Sequence, residues 1–166
     1  MILFHNCQSV IKFKKLLTAQ TVDLTISYIT SPQIRELNRV YRNIDSPTDI
    51  LSFPTHTFIT NPGYLPSEKN TIRSLGDIYI ATDYVDLYCK ENKIDRFEHF
   101  NVLYAHGISH LLGFDHVKDE DYIKMSAFEK KLLKEYPKYM SKYDPLDQGL
   151  YESWNWDKEC PVSTVF

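Results

Sequence analysis

Three of the six histidines in this sequence, His106, His110 and His116, have the spacing of metal ligands. His106 and His110 are four residues apart, so on a helix both imidazoles lie on one face, one turn apart. Gly113 suits a left-handed residue just past a helix end, and the chain could then turn and bring His116 to the open side of the pair. Because three neutral imidazoles are a common ligand set for zinc, with a fourth position left for water, the spacing predicts a metal site.

The residue after the first histidine separates this pattern from that of zincin peptidases. Those enzymes place a glutamate general base there, whereas this chain has Gly107. A zinc ion with three histidines and a water can lower the pKa of the water toward ~7 or polarise a phosphoryl oxygen. The pattern therefore predicts a hydrolytic metal centre whose general base, if it has one, lies elsewhere in the chain.

Length and composition are typical of one soluble domain. The chain has 166 residues, of which 43% are hydrophobic and 25% charged, with a net charge of −3. This charge gives no overall attraction to nucleic acid or to an anionic membrane, so any contact with RNA must use a local basic patch. Cys7, Cys89 and Cys160 form no CxxC pair and are interpreted as reduced thiols. No signal peptide or apolar run of ~20 residues is evident, which predicts a cytoplasmic protein without a membrane segment.

Hydrophobic periodicity predicts the elements that must position the histidines. A buried helix is expected to begin at Asp95 and to carry His106 and His110, since apolar residues cover much of its circumference. The other predictions are an edge strand at 2–4, an amphipathic helix from Ser9 to about Leu17, strands at 22–28, 49–53 and 76–81, helices capped by Ser31 and by Thr82, a long loop at 55–74 and a last helix at 118–136. Residues 1–136 are expected to form one domain, and residues 137–166 an aromatic-rich C-terminal tail that is not a separate domain.

Four segments of the sequence resemble the YbeY endoribonucleases, a family of ribosomal RNA maturation factors. They are ELN at 36–38 followed by YR at 41–42, SPTDILSFP at 46–54, LGDI at 75–78 and HGISHLLGFDH at 106–116. The segments occur in the order of the family, and the match spans roughly residues 20 to 135. The histidine segment and the Pro-Thr-Asp-x-Leu-Ser-Phe-Pro segment together are highly specific.

The resemblance implies a fold, a cofactor and an activity. The fold would be α+β, a small mixed, mostly parallel four-stranded sheet packed with helices, with a zincin-like central metal-binding helix. One zinc ion per chain would be held by His106, His110 and His116. The activity would be single-strand-specific cleavage of RNA in late 16S rRNA 3′-end maturation and in ribosome quality control, with the small ribosomal subunit and assembly proteins as partners. Arg42 would be catalytic or substrate-binding.

Four other residues are candidates for the same site, and three of them have a structural alternative. Thr48 and Ser52 could donate to phosphate oxygens, and Thr48 could equally cap a turn or a strand. Asp115 could hold the ring of His116 or cap a helix. Asp77 could support the sheet or reach the site.

Two other functions compete with the endoribonuclease. A zinc-dependent peptide or amide hydrolase would use the same ligands, but the glycine at position 107 argues against it. A non-catalytic ribosome-assembly factor would contain structural zinc, and structural zinc is usually closed by four protein ligands. Three histidines with an open position favour catalysis.

Overall fold

The computed structural model of the protein describes residues 7–10, 22–56, 59, 61–64 and 73–140. The elements follow one another as β1 (Cys7–Val10), β2 (Val22–Ile29), α1 (Ser31–Arg42), β3 (Ile50–Pro54), β4 (Arg73–Ala81), α2 (Thr82–Asn92), α3 (Arg96–Leu111) and α4 (Asp119–Met140). Strands and helices do not alternate regularly, so the fold is α+β, as predicted. No helix within these ranges is both long and apolar enough to cross a membrane.

The described strands form a mixed sheet in the order β1-β2-β4-β3. The adjacent strands β2 and β4 are parallel, whereas β3 pairs antiparallel with β4 and β1 pairs antiparallel with β2. The prediction of a mostly parallel sheet is therefore wrong, because the parallel ladder is confined to β2 and β4 in the part of the chain that the structure describes.

The direction of β3 follows from the loop that precedes it. After α1, residues 43–49 return along the helix, where Arg35 forms an ion pair with Asp45 at 2.8 Å and the side-chain amide of Asn38 donates to the carbonyl of Ser46 at 2.9 Å. β3 consequently begins at the end of the sheet where α1 began, and it runs opposite to β2 and β4. A third parallel strand would require a connection that leaves directly from the far end of α1.

The two faces of the sheet pack against different helices. Side chains alternate between faces along a strand, and the larger core cluster joins one face to α3 and α4. The smaller cluster, which includes Ile34 of α1 and Leu51 of β3, covers the other face. The sheet thus separates α1 from the helix that carries His106 and His110.

Three other element predictions need correction. β4 begins at Arg73, whereas the sequence predicted a strand from Gly76 and a loop that reached residue 74. The helix predicted from Ser9 to about Leu17 is wrong at its start, because Ser9 is in β1 and pairs with Ile26 of β2. A short stretch of apolar and polar residues fits the period of a helix or of a strand. Here the edge of β2 offers backbone hydrogen-bond partners, and these favour the strand. The rest of that predicted helix and the strand predicted at 2–4 lie outside the described residues.

The last helix is longer than predicted. α4 continues to Met140, whereas the sequence placed its end at Tyr136. The predicted boundary between the domain and the tail therefore falls inside a helix. Residues 141–166 lie outside the described part of the chain, so the division into domain and tail stays a prediction.

Candidate metal centre

α3 and the turn that follows it position the three histidines. Asp95 caps α3 by accepting a hydrogen bond from the backbone N–H of Glu98 at 2.9 Å, and the helix ends at Leu111. Gly113 then adopts a φ of +83°, a left-handed conformation that favours glycine because it has no Cβ. The chain reverses there, and His116 returns toward the helix.

The three imidazole rings form one compact group. One nitrogen from each of His106, His110 and His116 lies within 4.8 Å of the others. The Nε2 atoms of His106 and His110 are 3.1 Å apart, and the ring centroid of His116 is 5.4 and 5.1 Å from those of His106 and His110. Two nitrogens bound to one tetrahedral zinc ion at ~2.0–2.1 Å are about 3.3 Å apart. The group could therefore hold one metal ion.

Hydrogen bonds at the opposite ring nitrogens fix the tautomers. Nδ1 of His106 is 2.9 Å from Oε1 of Glu129, and Nδ1 of His110 is 3.1 Å from the carbonyl oxygen of Phe114. A carboxylate and a carbonyl only accept, so each Nδ1 carries the proton and donates it. Both Nε2 atoms then present lone pairs to each other, an arrangement that a bound cation stabilises. The donor set fits a metal ion.

His110 is held in its neutral form. Its pKa is lowered from 6.5 to about 4, first by burial and then by the charges of His106 and His116, while the carbonyl of Phe114 and the carboxylate of Asp115 act in the opposite direction. Only the neutral imidazole binds a metal ion. His110 therefore needs no deprotonation to act as a ligand at neutral pH.

Glu129 of α4 is a site residue that the sequence interpretation missed. Its side chain is 25% exposed and that of His106 is 32% exposed, so their contact is partly shielded from water. Carboxylates in this position orient a metal-binding ring and raise its basicity. The two residues are 23 positions apart, and the only signal in the sequence is an acidic residue between the inward-facing positions Met125 and Leu132.

The environment of Gly107 explains why no glutamate follows the first histidine. A Cβ at this position would lie 2.6 Å from Cδ1 of Ile78, 3.1 Å from Cδ1 of Ile50 and 3.2 Å from Oγ of Ser52. Position 107 thus faces the sheet, and a glutamate there would collide with it. The same contacts place the hydroxyl of Ser52 under α3, next to the residue that follows His106.

Arg42 lies at the exposed end of α1, on the other side of the sheet. It is the last residue of the helix, and the ring of the preceding Tyr41 contacts that of Phe53 in β3 at a centroid distance of 5.0 Å. Since β3 is at the edge of the described sheet, the end of α1 and the helix that carries His106 and His110 pack on opposite faces of the same edge strand.

Of the other three predicted residues, Thr48 and Asp115 have local hydrogen bonds. The hydroxyl of Thr48 donates to Oδ1 of Asp49 at 3.1 Å, in the turn before β3. Oδ1 of Asp115 accepts from the backbone N–H of His116 at 2.7 Å. In β4, Ile78 faces α3. Because neighbouring side chains of a strand point to opposite faces, Asp77 lies on the face that α1 covers. Of the four, Ser52 is the residue that the structure brings next to α3.

Comparisons with known proteins identify the family. The family model described as endoribonuclease YbeY matches residues 3–137. The chain belongs to the endoribonuclease YbeY family. The human endoribonuclease YbeY is 33% identical over 139 residues, which cover 83% of this chain and 83% of the human protein. The endoribonuclease YbeY of Aliarcobacter butzleri is 41% identical over 102 residues, which cover 61% of this chain and 66% of that protein.

A solved structure is also similar to this YbeY family member. The solution structure of TM1509 from Thermotoga maritima is 23% identical, with a TM-score of 0.45, and the alignment covers 82% of this chain and 78% of that protein.

Proposed function

We propose that this chain is a zinc-dependent endoribonuclease that cuts single-stranded RNA. The observation that supports this most strongly is the convergence of His106, His110 and His116 within 4.8 Å in a member of a family named for endoribonuclease activity. Its proposed substrate is the 16S rRNA of the small ribosomal subunit, in late 3′-end maturation and ribosome quality control. Small-subunit and assembly proteins are the proposed partners, and the cytoplasm is the proposed location.

Zinc is the proposed ion because three imidazoles suit it and leave a position open. Bound there, it would polarise a phosphoryl oxygen or acidify a water. The chain prepares its ligands in advance: Glu129 and the carbonyl of Phe114 fix the rings of His106 and His110, so little reorganisation accompanies binding. In this respect α3 resembles the metal helix of zincins.

Arg42 is proposed to bind the substrate phosphate and to stabilise the charge that develops on it. Its guanidinium is a planar fork of donors that matches phosphate oxygens. Ser52, under α3, is proposed to contribute a further donor. The contacts of Thr48 and Asp115 favour supporting roles, in which Thr48 orders the turn before β3 and Asp115 holds the return segment at His116. For Asp77 we propose support of the sheet.

The proposed catalytic unit is the domain at residues 1–136, and the aromatic-rich tail at 137–166 is proposed to be an appendage of it. The peptidase alternative is disfavoured because position 107 faces Ile78 and has no room for a glutamate. The structural-zinc alternative is disfavoured because the described residues supply three ligands to the group, whereas structural sites usually have four.

One set of incubations tests the proposal. The purified protein is mixed with single-stranded ribosomal RNA, the same RNA in a duplex, or a casein-type peptide, each with a chelator, without it, and with zinc restored after chelation. We expect cleavage of the single strand alone, lost with the chelator and regained with zinc. Cleavage of the peptide would support the hydrolase alternative, and stoichiometric zinc without cleavage of any substrate would support the assembly factor.

A further inference from the structure

The ring of Tyr41 is exposed but held in place. It is 64% exposed at the end of α1, and it meets the ring of Phe53 edge to face at 5.0 Å with an interplanar angle of 71°. Phe53 in turn meets Tyr79 edge to face at 5.6 Å. Edge-to-face contacts of this kind stabilise a ring orientation. Tyr41 therefore presents a large aromatic surface to solvent from a fixed support.

In α1, the arginine that has no side-chain partner among the described residues is Arg42, the residue that follows Tyr41. Arg35 is paired with Asp45, and Arg39 with Glu36 at 2.7 Å. The guanidinium of Arg42 has no ion pair or hydrogen bond with the residues that the structure describes. The first two arginines are locally neutralised, so an anion that approaches the end of α1 meets the guanidinium of Arg42.

The edge strand connects this corner to the metal centre. Phe53 supports Tyr41 on one face of β3, and the adjacent Ser52 points to the other face, against Gly107 of α3. Only the width of one strand lies between them. A chain that passes around this edge can therefore contact both the end of α1 and the metal-bearing helix.

We infer that Tyr41 stacks on an unpaired base of the RNA whose phosphate Arg42 binds. This inference rests on the proposed ribonuclease function, and it specifies how the site selects single strands. Base–aromatic stacking is tolerant of sequence and adds to backbone contacts in proteins that bind single strands. A base in a duplex is already stacked on its neighbours and is not available to the tyrosine. Arg42, the next residue along α1, supplies the phosphate contact that aligns the strand.

RNA binding and cleavage by three variants of Tyr41 test this inference. Tyr41→Phe keeps an aromatic face, Tyr41→Leu keeps an apolar contact with Phe53 without that face, and Tyr41→Ala removes both. Phe97→Ala is the matched control, because Phe97 is 61% exposed and lies in the first turn of α3, away from α1. The zinc-loaded proteins are mixed rapidly with single-stranded RNA that contains 2-aminopurine, and the fluorescence change before cleavage reports stacking.

We expect weaker binding of RNA in the two variants that lack an aromatic ring at position 41. Tyr41→Ala and Tyr41→Leu should bind the single strand about tenfold more weakly, with a higher KM, a diminished 2-aminopurine quench and unchanged zinc content. Phe97→Ala should match the wild type, and Tyr41→Phe, which keeps the aromatic face, should retain most of the affinity and of the quench. Equal affinity and quench in all variants would overturn the stacking role and leave the ribonuclease intact. A wild type that neither binds nor cuts RNA would overturn both.

Discussion

The metal centre and the end of α1 are built in opposite ways. At the metal centre, His106 and His110 are partly buried, and each has its second ring nitrogen bonded to a fixed acceptor. At the end of α1, Arg42 is exposed, and its neighbours are ordered by surface ion pairs whose partners are more than a third exposed. The difference indicates that the rings of His106 and His110 are held in place by the protein itself, whereas the guanidinium of Arg42 has no fixed partner among the described residues.

The largest effect is expected when the centre loses a ligand. His110→Ala removes one of three nitrogen donors. Loss of a residue that only hydrogen-bonds to a ligand typically lowers metal affinity about 10–100-fold, so we expect zinc affinity to fall by more than this, with no detectable RNA cleavage. Elemental analysis and the cleavage assay measure the two losses. Retention of stoichiometric zinc and activity by this variant would refute the proposed ligand set.

The second largest effect is expected at the exposed end of α1, and it should change RNA cleavage without changing zinc binding. Arg42→Glu should lower kcat/KM for RNA by at least about 10–100-fold, because a hydrogen bond to a charged group contributes about 1.5–3 kcal/mol and the new carboxylate also repels phosphate, while zinc content stays at the wild-type level. Arg39→Glu is the matched charge reversal on the same helix and should cost much less. Loss of zinc from the Arg42 variant would mean that this arginine is structural.

A smaller effect is expected from the residue that supports a ligand. Glu129→Ala should lower zinc affinity about 10–100-fold, because His106 loses the acceptor that orients its ring. Glu129→Gln keeps an acceptor oxygen without the charge and should lie between this variant and the wild type. Competition with a chromogenic chelator measures all three affinities. An unchanged affinity in the alanine variant would assign Glu129 to helix packing.

The smallest effect is expected at the loop that follows α1. Arg35→Ala breaks the ion pair with Asp45, whose two side chains are 54% and 59% exposed. Exposed pairs contribute little to stability because water and salt screen them, so the variant should lose little stability in urea unfolding. Zinc affinity should not change. A larger loss would show that the return of the loop along α1 is a structural requirement for β3.

Features that depend on the spacing of nearby residues were predicted from the sequence better than features that depend on contacts between distant segments. The four-residue interval between His106 and His110 brings their rings together on any regular helix, and Gly113 marks the turn that returns His116. The α+β class followed from a resemblance that spans most of the chain. These features are encoded within a few residues or within recognisable segments.

Features that depend on distant segments were not predictable in the same way. The contact of Glu129 with His106 exists only because α4 packs on α3. The direction of β3 depends on how residues 43–49 fold back on α1, and Ser9 is in a strand because β2 offers an edge. In each case tertiary contacts decide between patterns that the local sequence permits equally.

Phe114 belongs to two contacts at once. Its carbonyl oxygen orients the ring of His110, and its own ring stacks on Phe128 of α4 at a centroid distance of 4.6 Å. Glu129, the next residue along α4, orients His106. Separation of α4 from α3 would therefore disturb two ligands together, and we expect gentle heating to release the ion before the sheet melts, so that a zinc-sensitive dye would report the earliest stage of denaturation.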